Sequence, residues 1–195
     1  MPKQAISLDA GFYESDSLPI SAQECVNFWV NIPQTSGSLS PASLYGGAGI
    51  SQEVTTGKVN QANRGAHVKA GKPYFLNGQT LVRLDRSVDE FGEESFTAVS
   101  LGIIPGDTRV SMADNGKELM VLVPGGNAYI INEESGTPFQ QITAPGFTAS
   151  GNPQQVVFID SYFVCSTDSK KFIRSNSNDG LTWDSLNFYS AESDP

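Results

Sequence analysis

Few side chains of this 195-residue chain stand in patterns that support chemistry. His67 is the single histidine, and no Cys-x-x-Cys accompanies it, so no metal-ligand set can be assembled around an imidazole. A structural or surface role is expected for His67, with no metal and no cofactor. Gly65 to Lys72 has the outline of a phosphate loop, but five residues separate its glycines where four are needed, and Pro73 stands where a Ser or Thr would hold magnesium. Asp85 to Glu94 is acidic yet lacks the alternating ligands, central Gly and terminal Glu of a calcium loop. The carboxylates Asp85, Asp89, Glu90, Glu93, Glu94, Glu133 and Glu134 fall in expected loop tips. A glycosidase holds two such groups on opposite sides of one bond, and solvation is the ordinary state of loop carboxylates. No catalytic residue is assigned, and an enzyme is not expected.

One short stretch has specific spacing. Asn176-Ser177-Asn178-Asp179-Gly180-Leu181-Thr182-Trp183 is similar to the Asp-box hairpin of sialidases and other propellers, Ser-x-Asp-x-Gly-x-Thr-Trp. Asn176 and Asn178 take the Ser and Asp positions, while Gly180, Thr182 and Trp183 match. Such a turn is a folding device: Asn and Asp side chains bond the turn backbone, Gly supplies positive φ, and Trp packs beneath the hairpin.

The elements that would position these residues are short strands. Lys72 to Leu76 and Gln79 to Leu84 are β-prone runs flanking Asn77-Gly78, which predicts a tight type I′ hairpin. The design recurs as Leu119 to Val123, a Pro124-Gly125-Gly126-Asn127 turn and Ala128 to Ile131. It returns as Val156 to Ile159, Tyr162 to Cys165, a turn at Ser166 to Ser169 and Lys171 to Arg174. Leu81, Tyr129 and Phe172 taken as equivalent positions lie 48 and 43 residues apart. Propeller blades of four strands repeat at about 40–50 residues, so the expected fold is an all-β propeller with an incomplete set of blades. Residues 1–62 differ: Ser, Pro, Gly and Gln dominate Pro33 to Asn63, and the strongest β-prone run, Glu24 to Asn31, stops at Ile32-Pro33. They are expected to form an extended N-terminal arm with short strands, ahead of first blades over 63–195.

Charge narrows the partners. The formal net charge is −9, and the only basic cluster is Lys170, Lys171 and Arg174. A protein that grips a phosphate backbone clusters Lys and Arg, so tight duplex binding is not expected. No run is long and apolar enough for a membrane helix, and MPKQAISLDA lacks the apolar core of a secretory signal, which implies synthesis in a cytoplasm and no membrane partner. Cys25 and Cys165 sit among apolar residues in separate units, where buried free thiols are expected.

Three stretches taken in order resemble the packaged-DNA stabilisation proteins of short-tailed bacteriophages, the tail-hub or tail accessory family. Cys25-Val26-Asn27-Phe28 followed by Leu44-Tyr45-Gly46-Gly47-Ala48-Gly49-Ile50 is similar to its N-terminal strand, Ser/Pro linker and Pro-Gly-Ile turn, with Ala48 where Pro is usual. Arg64-Gly65, Tyr74, Asn77-Gly78 and Leu81 to Leu84 resemble its first hairpin, and Arg109 to Ala113 with Asn115-Gly116 its next unit. Asp179-Gly180, Trp183 and Ser190-Ala191-Glu192 with Asp194 or Pro195 resemble the point where its chain runs on into further blades. The resemblance implies a propeller subunit in a homohexameric ring of the virion tail, assembled in the host cytoplasm. The ring would lie below the portal and its adaptor, continue the channel for double-stranded DNA without binding it tightly, retain the packaged genome until ejection, and anchor a tail needle, fibres or spikes. It also implies a chain truncated at its C-terminus. The alternative carried by the Asp-box-like turn is a carbohydrate-binding or sialidase-like propeller for host-surface recognition.

Overall fold

The structure, a computed structural model, describes residues 28–31, 43–47, 49, 52, 54–58 and 60–190. The chain divides into two units, Met1–Gln52 and Glu53–Pro195. In the first unit β1 (Phe28–Asn31) and β2 (Ser43–Gly46) pair antiparallel, Phe28 opposite Gly46 and Asn31 opposite Ser43. β1 falls within the β-prone run Glu24 to Asn31. Cys25, Val26, Asn27, Ala48, Ile50 and the stretch 191–195 lie outside the described residues.

The second unit is built from three antiparallel sheets of four strands, each a simple meander. The first holds β3 (Asn63–Lys69), β4 (Lys72–Asn77), β5 (Thr80–Val88) and β6 (Glu94–Ile103). The second holds β7 (Ser111–Asp114), β8 (Leu119–Val123), β9 (Asn127–Ile131) and β10 (Phe139–Gln141). After a 3₁₀ turn at Pro145–Phe147 comes the third, with β11 (Pro153–Ile159), β12 (Tyr162–Thr167), β13 (Lys171–Asn176) and β14 (Asp179–Ser190). Leu81, Tyr129 and Phe172 each fall on the third strand of their sheet, so the spacing read from sequence is the blade repeat of a β-propeller. The first strands lie side by side: Val110 N donates to Arg64 O at 3.0 Å, and Ser111 Oγ bonds Val156 N at 3.0 Å.

Turn chemistry sets the registers, with one departure from the sequence reading. Asn77 pairs with Thr80, so the central residues of that hairpin are Gly78 and Gln79. Only Gly78 has positive φ, 57°, which is the requirement of a type II′ turn and not the type I′ expected. The type I′ pattern of two positive φ values occurs instead at Ala70-Gly71 and at Asp160-Ser161. Gly78 sits tight for a second reason: Gln61 packs against it, and its N–H donates to Ala62 O at 2.8 Å. The acidic stretch 85–94 is also shorter as a loop than the sequence suggested. Asp85 to Val88 belongs to β5 and Glu94 opens β6, leaving only 89–93 as the turn.

Two apolar cores join the three sheets, and β8 feeds both. Its five residues LMVLV are all buried. Leu119, Val121 and Val123 pack with Tyr74, Leu76, Leu81 and Ile104 of the first sheet and its exit, while Met120 and Leu122 pack with Phe147, Val156, Phe163, Cys165, Ile173 and Trp183. A strand covered on both faces reads as a continuous apolar run, whereas β12 alternates, with Phe163, Cys165 and Thr167 buried between half-buried neighbours. Each such side chain removed from water stabilises the fold by about 1.5–3 kcal/mol. The thiol of Cys165 is free and buried, and desolvation pushes its pKa up.

Close approach between the second and third sheets depends on Gly180. A Cβ there would overlap Cδ1 of Ile130. Gly180→Ala is expected to cost about 1–3 kcal/mol in urea denaturation, as overpacked cores do, and adding Ile130→Val, which removes that carbon, should recover part of the loss.

Candidate functional site

The sequence-selected turn is ordered from within. Trp183 is 5% exposed, meets Phe147 edge-on at 4.8 Å between ring centroids, and donates its indole N–H to Gly180 O at 2.8 Å. Asp179 Oδ1 accepts from Leu181 N and Thr182 N, so the carboxylate on the turn backbone is Asp179, beside the position of Asn178. Positive φ belongs to Asn178, 53°, and not to Gly180, whose missing side chain instead admits Ile130 and lets its N–H reach Glu118 Oε2 at 2.9 Å. Asn178 N donates to Ser161 O, and Asn176 O accepts from Ser175 Oγ. Asn176, Thr182 and Trp183 line a shallow cleft with Pro145, Gly146, Ala149, Asp184 and Ser185. No ionised pair converges there: Asp184 Oδ1 caps its own turn at Leu186 N.

The charged chemistry of the chain gathers elsewhere, at the joint between the first two sheets. Glu133, read from sequence as a solvated loop carboxylate, receives Tyr74 OH at 2.5 Å, contacts Arg83 Nη1, and lies 3.9 Å from Lys69 Nζ. Arg83 Nη2 also donates to Asp85 Oδ2 at 2.5 Å, and Lys72 Nζ stands 3.8 Å from the other oxygen of Asp85, an ion-pair distance without a hydrogen bond. Lys69 Nζ donates to Lys117 O at 2.8 Å. His67 Nε2 meets Asp114 Oδ2 at 2.6 Å, and no group of three or more metal-binding side chains forms among the described residues. Desolvation lowers the pKa of Lys69 and raises that of Tyr74, while the hydrogen bond from Arg83 lowers that of Asp85.

At the other end of this joint Arg64 is 4% exposed and forms no ion pair with a carboxylate among the described residues. Its guanidinium donates to four backbone carbonyls: Ile104 at 2.8 Å, Thr108 at 2.7 Å, Gly78 at 3.1 Å and Pro105 at 3.3 Å. Burial lowers its pKa, though a guanidinium stays charged. Arg64 thus ties the chain leaving the first sheet to the first hairpin. Sequence reasoning noticed Arg64 only through the family pattern, because its acceptors are main-chain atoms that carry no residue signature.

Lys170, Lys171 and Arg174, expected as a solvated strand face, are more specific than that. Lys170 has φ 58° in the turn, Lys171 lies 4.6 Å over the Phe188 ring, and Arg174 lies 4.5 Å over Tyr162. None has a carboxylate partner among the described residues.

Arg64→Lys, which cannot reach four carbonyls from one ammonium, is expected to lose about 2–3 kcal/mol of stability by urea denaturation. The pH dependence of the joint follows from Asp85. Its folded pKa lies below the unfolded value, so its contribution is present above that value and is lost as pH falls through the folded pKa. Denaturation midpoints should therefore drop below about pH 4, and Asp85→Asn should show a shallower acid limb together with lower stability at neutral pH.

The arrangement holds sheets together and does not converge on a reacting bond. Among curated proteins the chain has no match. A family model does match it: Phage_stabilise, described as Bacteriophage P22 Gp10, beta-propeller, aligns with residues 4–195. That span takes in the β1–β2 pair and all three sheets, and the chain belongs to this family of phage structural proteins with a propeller fold.

Proposed function

We propose that this chain is a subunit of the hub ring of a short phage tail, seated below the portal and its adaptor. There it continues the DNA channel, retains the packaged genome and offers attachment for a needle, fibres or spikes. The family match over residues 4–195 carries this reading. Copies assemble as a ring, a homohexamer in keeping with the family resemblance, and the faces of the outer sheets are suited to further blades. Val68 and Phe75 on the first sheet and Val157 and Val164 on the third lie exposed or half-buried on the faces turned away from the two cores.

The charge distribution supports retention without a grip on DNA. Twelve basic residues stand against 21 acidic ones. Five of the twelve are already engaged: Arg64 by carbonyls, and Lys69, Lys72, Arg83 and Arg86 by carboxylates. An acidic wall repels the duplex and leaves it free to slide, so retention comes from closing the channel and bracing the portal. The sugar-binding alternative gains no platform from Trp183, which is buried under Phe147 with its N–H spent on Gly180.

The isolated protein is expected to bind duplex DNA with a dissociation constant weaker than roughly 10⁻⁵ M at physiological salt, as nonspecific electrostatic binding does. Infection without the protein should give particles that package DNA and then leak it, measured as nuclease-sensitive genome. Tight, salt-sensitive binding lost on changing Lys170, Lys171 and Arg174 to Ala would overturn the sliding channel. Stable filled particles would overturn the retention role.

A further inference from the structure

The β5–β6 hairpin runs past the sheet that carries it. β5 and β6 stay paired from Thr80 opposite Ile103 to Val88 opposite Glu94, whereas β4 begins at Lys72, beside Asp85. Residues 86–96 therefore project as a two-stranded ribbon. Its tip is fixed by its own bonds: Asp89 Oδ1 accepts from Phe91 N at 2.9 Å and Glu93 N at 2.8 Å, and Asp89 N donates to Glu93 O at 3.0 Å. Gly92 supplies a φ of 84°, Arg86 forks onto Glu94, and Ser87 bonds Ser95. On this stiff support Phe91 is 83% exposed, and Glu90 and Glu93 beside it face no cation among the described residues. A preorganised apolar knob ringed by carboxylates fits an apolar site edged by cations.

The chain itself presents such a site. On the outermost strand of the third sheet Phe188, 39% exposed, lies under Lys171, with Lys170 next along the chain in the exposed turn, and neither lysine has a carboxylate partner among the described residues. Within one chain the two cannot meet. β3 and β7 run in the same direction, with Val110 against Arg64 and Asp114 against His67, and β11 follows beside β7. In that frame the 89–93 tip lies at one end of the strands, and the β12–β13 turn with Lys170 lies at the other, two sheets away.

We infer that the 86–96 hairpin is the contact by which one copy of this chain holds a second, with Phe91 against the β14 edge at Phe188 and Glu90 and Glu93 facing Lys170 and Lys171. The contact is heterologous, the kind that builds a ring when the rotation between copies closes. The inference rests on the reading that copies assemble, and deepens it by naming the surfaces.

Sedimentation velocity of the full chain, across concentration and at low and high salt, tests it. Wild type should associate, less so in high salt. Phe91→Ser, Glu90→Lys with Glu93→Lys, and Lys170→Glu with Lys171→Glu should each weaken association about tenfold or more, the first two with unchanged melting curves, since Glu90, Phe91 and Glu93 are exposed. Combining the two charge reversals in one chain should restore it. A wild type that associates while every variant matches it would overturn the inference and leave the ring reading standing. Variants that weaken association without recovery in the combined chain would overturn the pairing of these two surfaces. A wild type that stays monomeric at all concentrations would overturn both.

Discussion

Burial of the middle sheet on both of its faces is the constraint on which the rest depends. A four-stranded meander has one face too many for water, and here the second sheet covers one face of each neighbour through alternate residues of a single strand, Leu119 to Val123. The outer sheets then inherit their orientation. Gly180 must be bare so that Ile130 can reach the third sheet, and Gly65 must be bare where Val110 and Met112 of the second press on the first. The blade geometry is thus a consequence of packing distance as much as of strand propensity.

The two joints are made differently. Between the second and third sheets the contacts are mainly apolar, with Ser111 and Glu118 tying backbone groups across the seam. Between the first and second, an apolar core is flanked by Arg64 with its four carbonyls and by the group of Glu133, Arg83, Lys69 and Tyr74. Buried ionic groups cost desolvation and repay it only when every partner is in place, so they favour one arrangement of the joint over near alternatives.

Much of this was legible in the residues. The blade repeat showed because each third strand follows a turn rich in residues that turns favour, whereas the burial of β8 on both faces emerged only from the packing. What stayed hidden was long-range pairing. Glu133 lies 50 residues from Arg83 and 64 from Lys69, and nothing in a loop of polar residues announces such partners. The projecting hairpin was misread for a related reason: its acidic residues resembled a solvated loop, although Arg86 to Val88 and Ser95 to Val99 flank the turn with β-prone residues. The turn at Asn176 to Trp183 was found by its spacing, but its internal roles shifted by one residue, since backbone bonding there is decided by which carboxylate faces the N–H groups.

The proposed place of this chain in the particle is the claim that gives its surfaces meaning. Cryo-electron microscopy of intact virions bearing a bound antibody fragment against this chain measures that place directly. The expected result is extra density at the single tail vertex, in a ring below the portal and around the channel axis. Label spread over the capsid lattice, or particles that carry none of the chain, would contradict it.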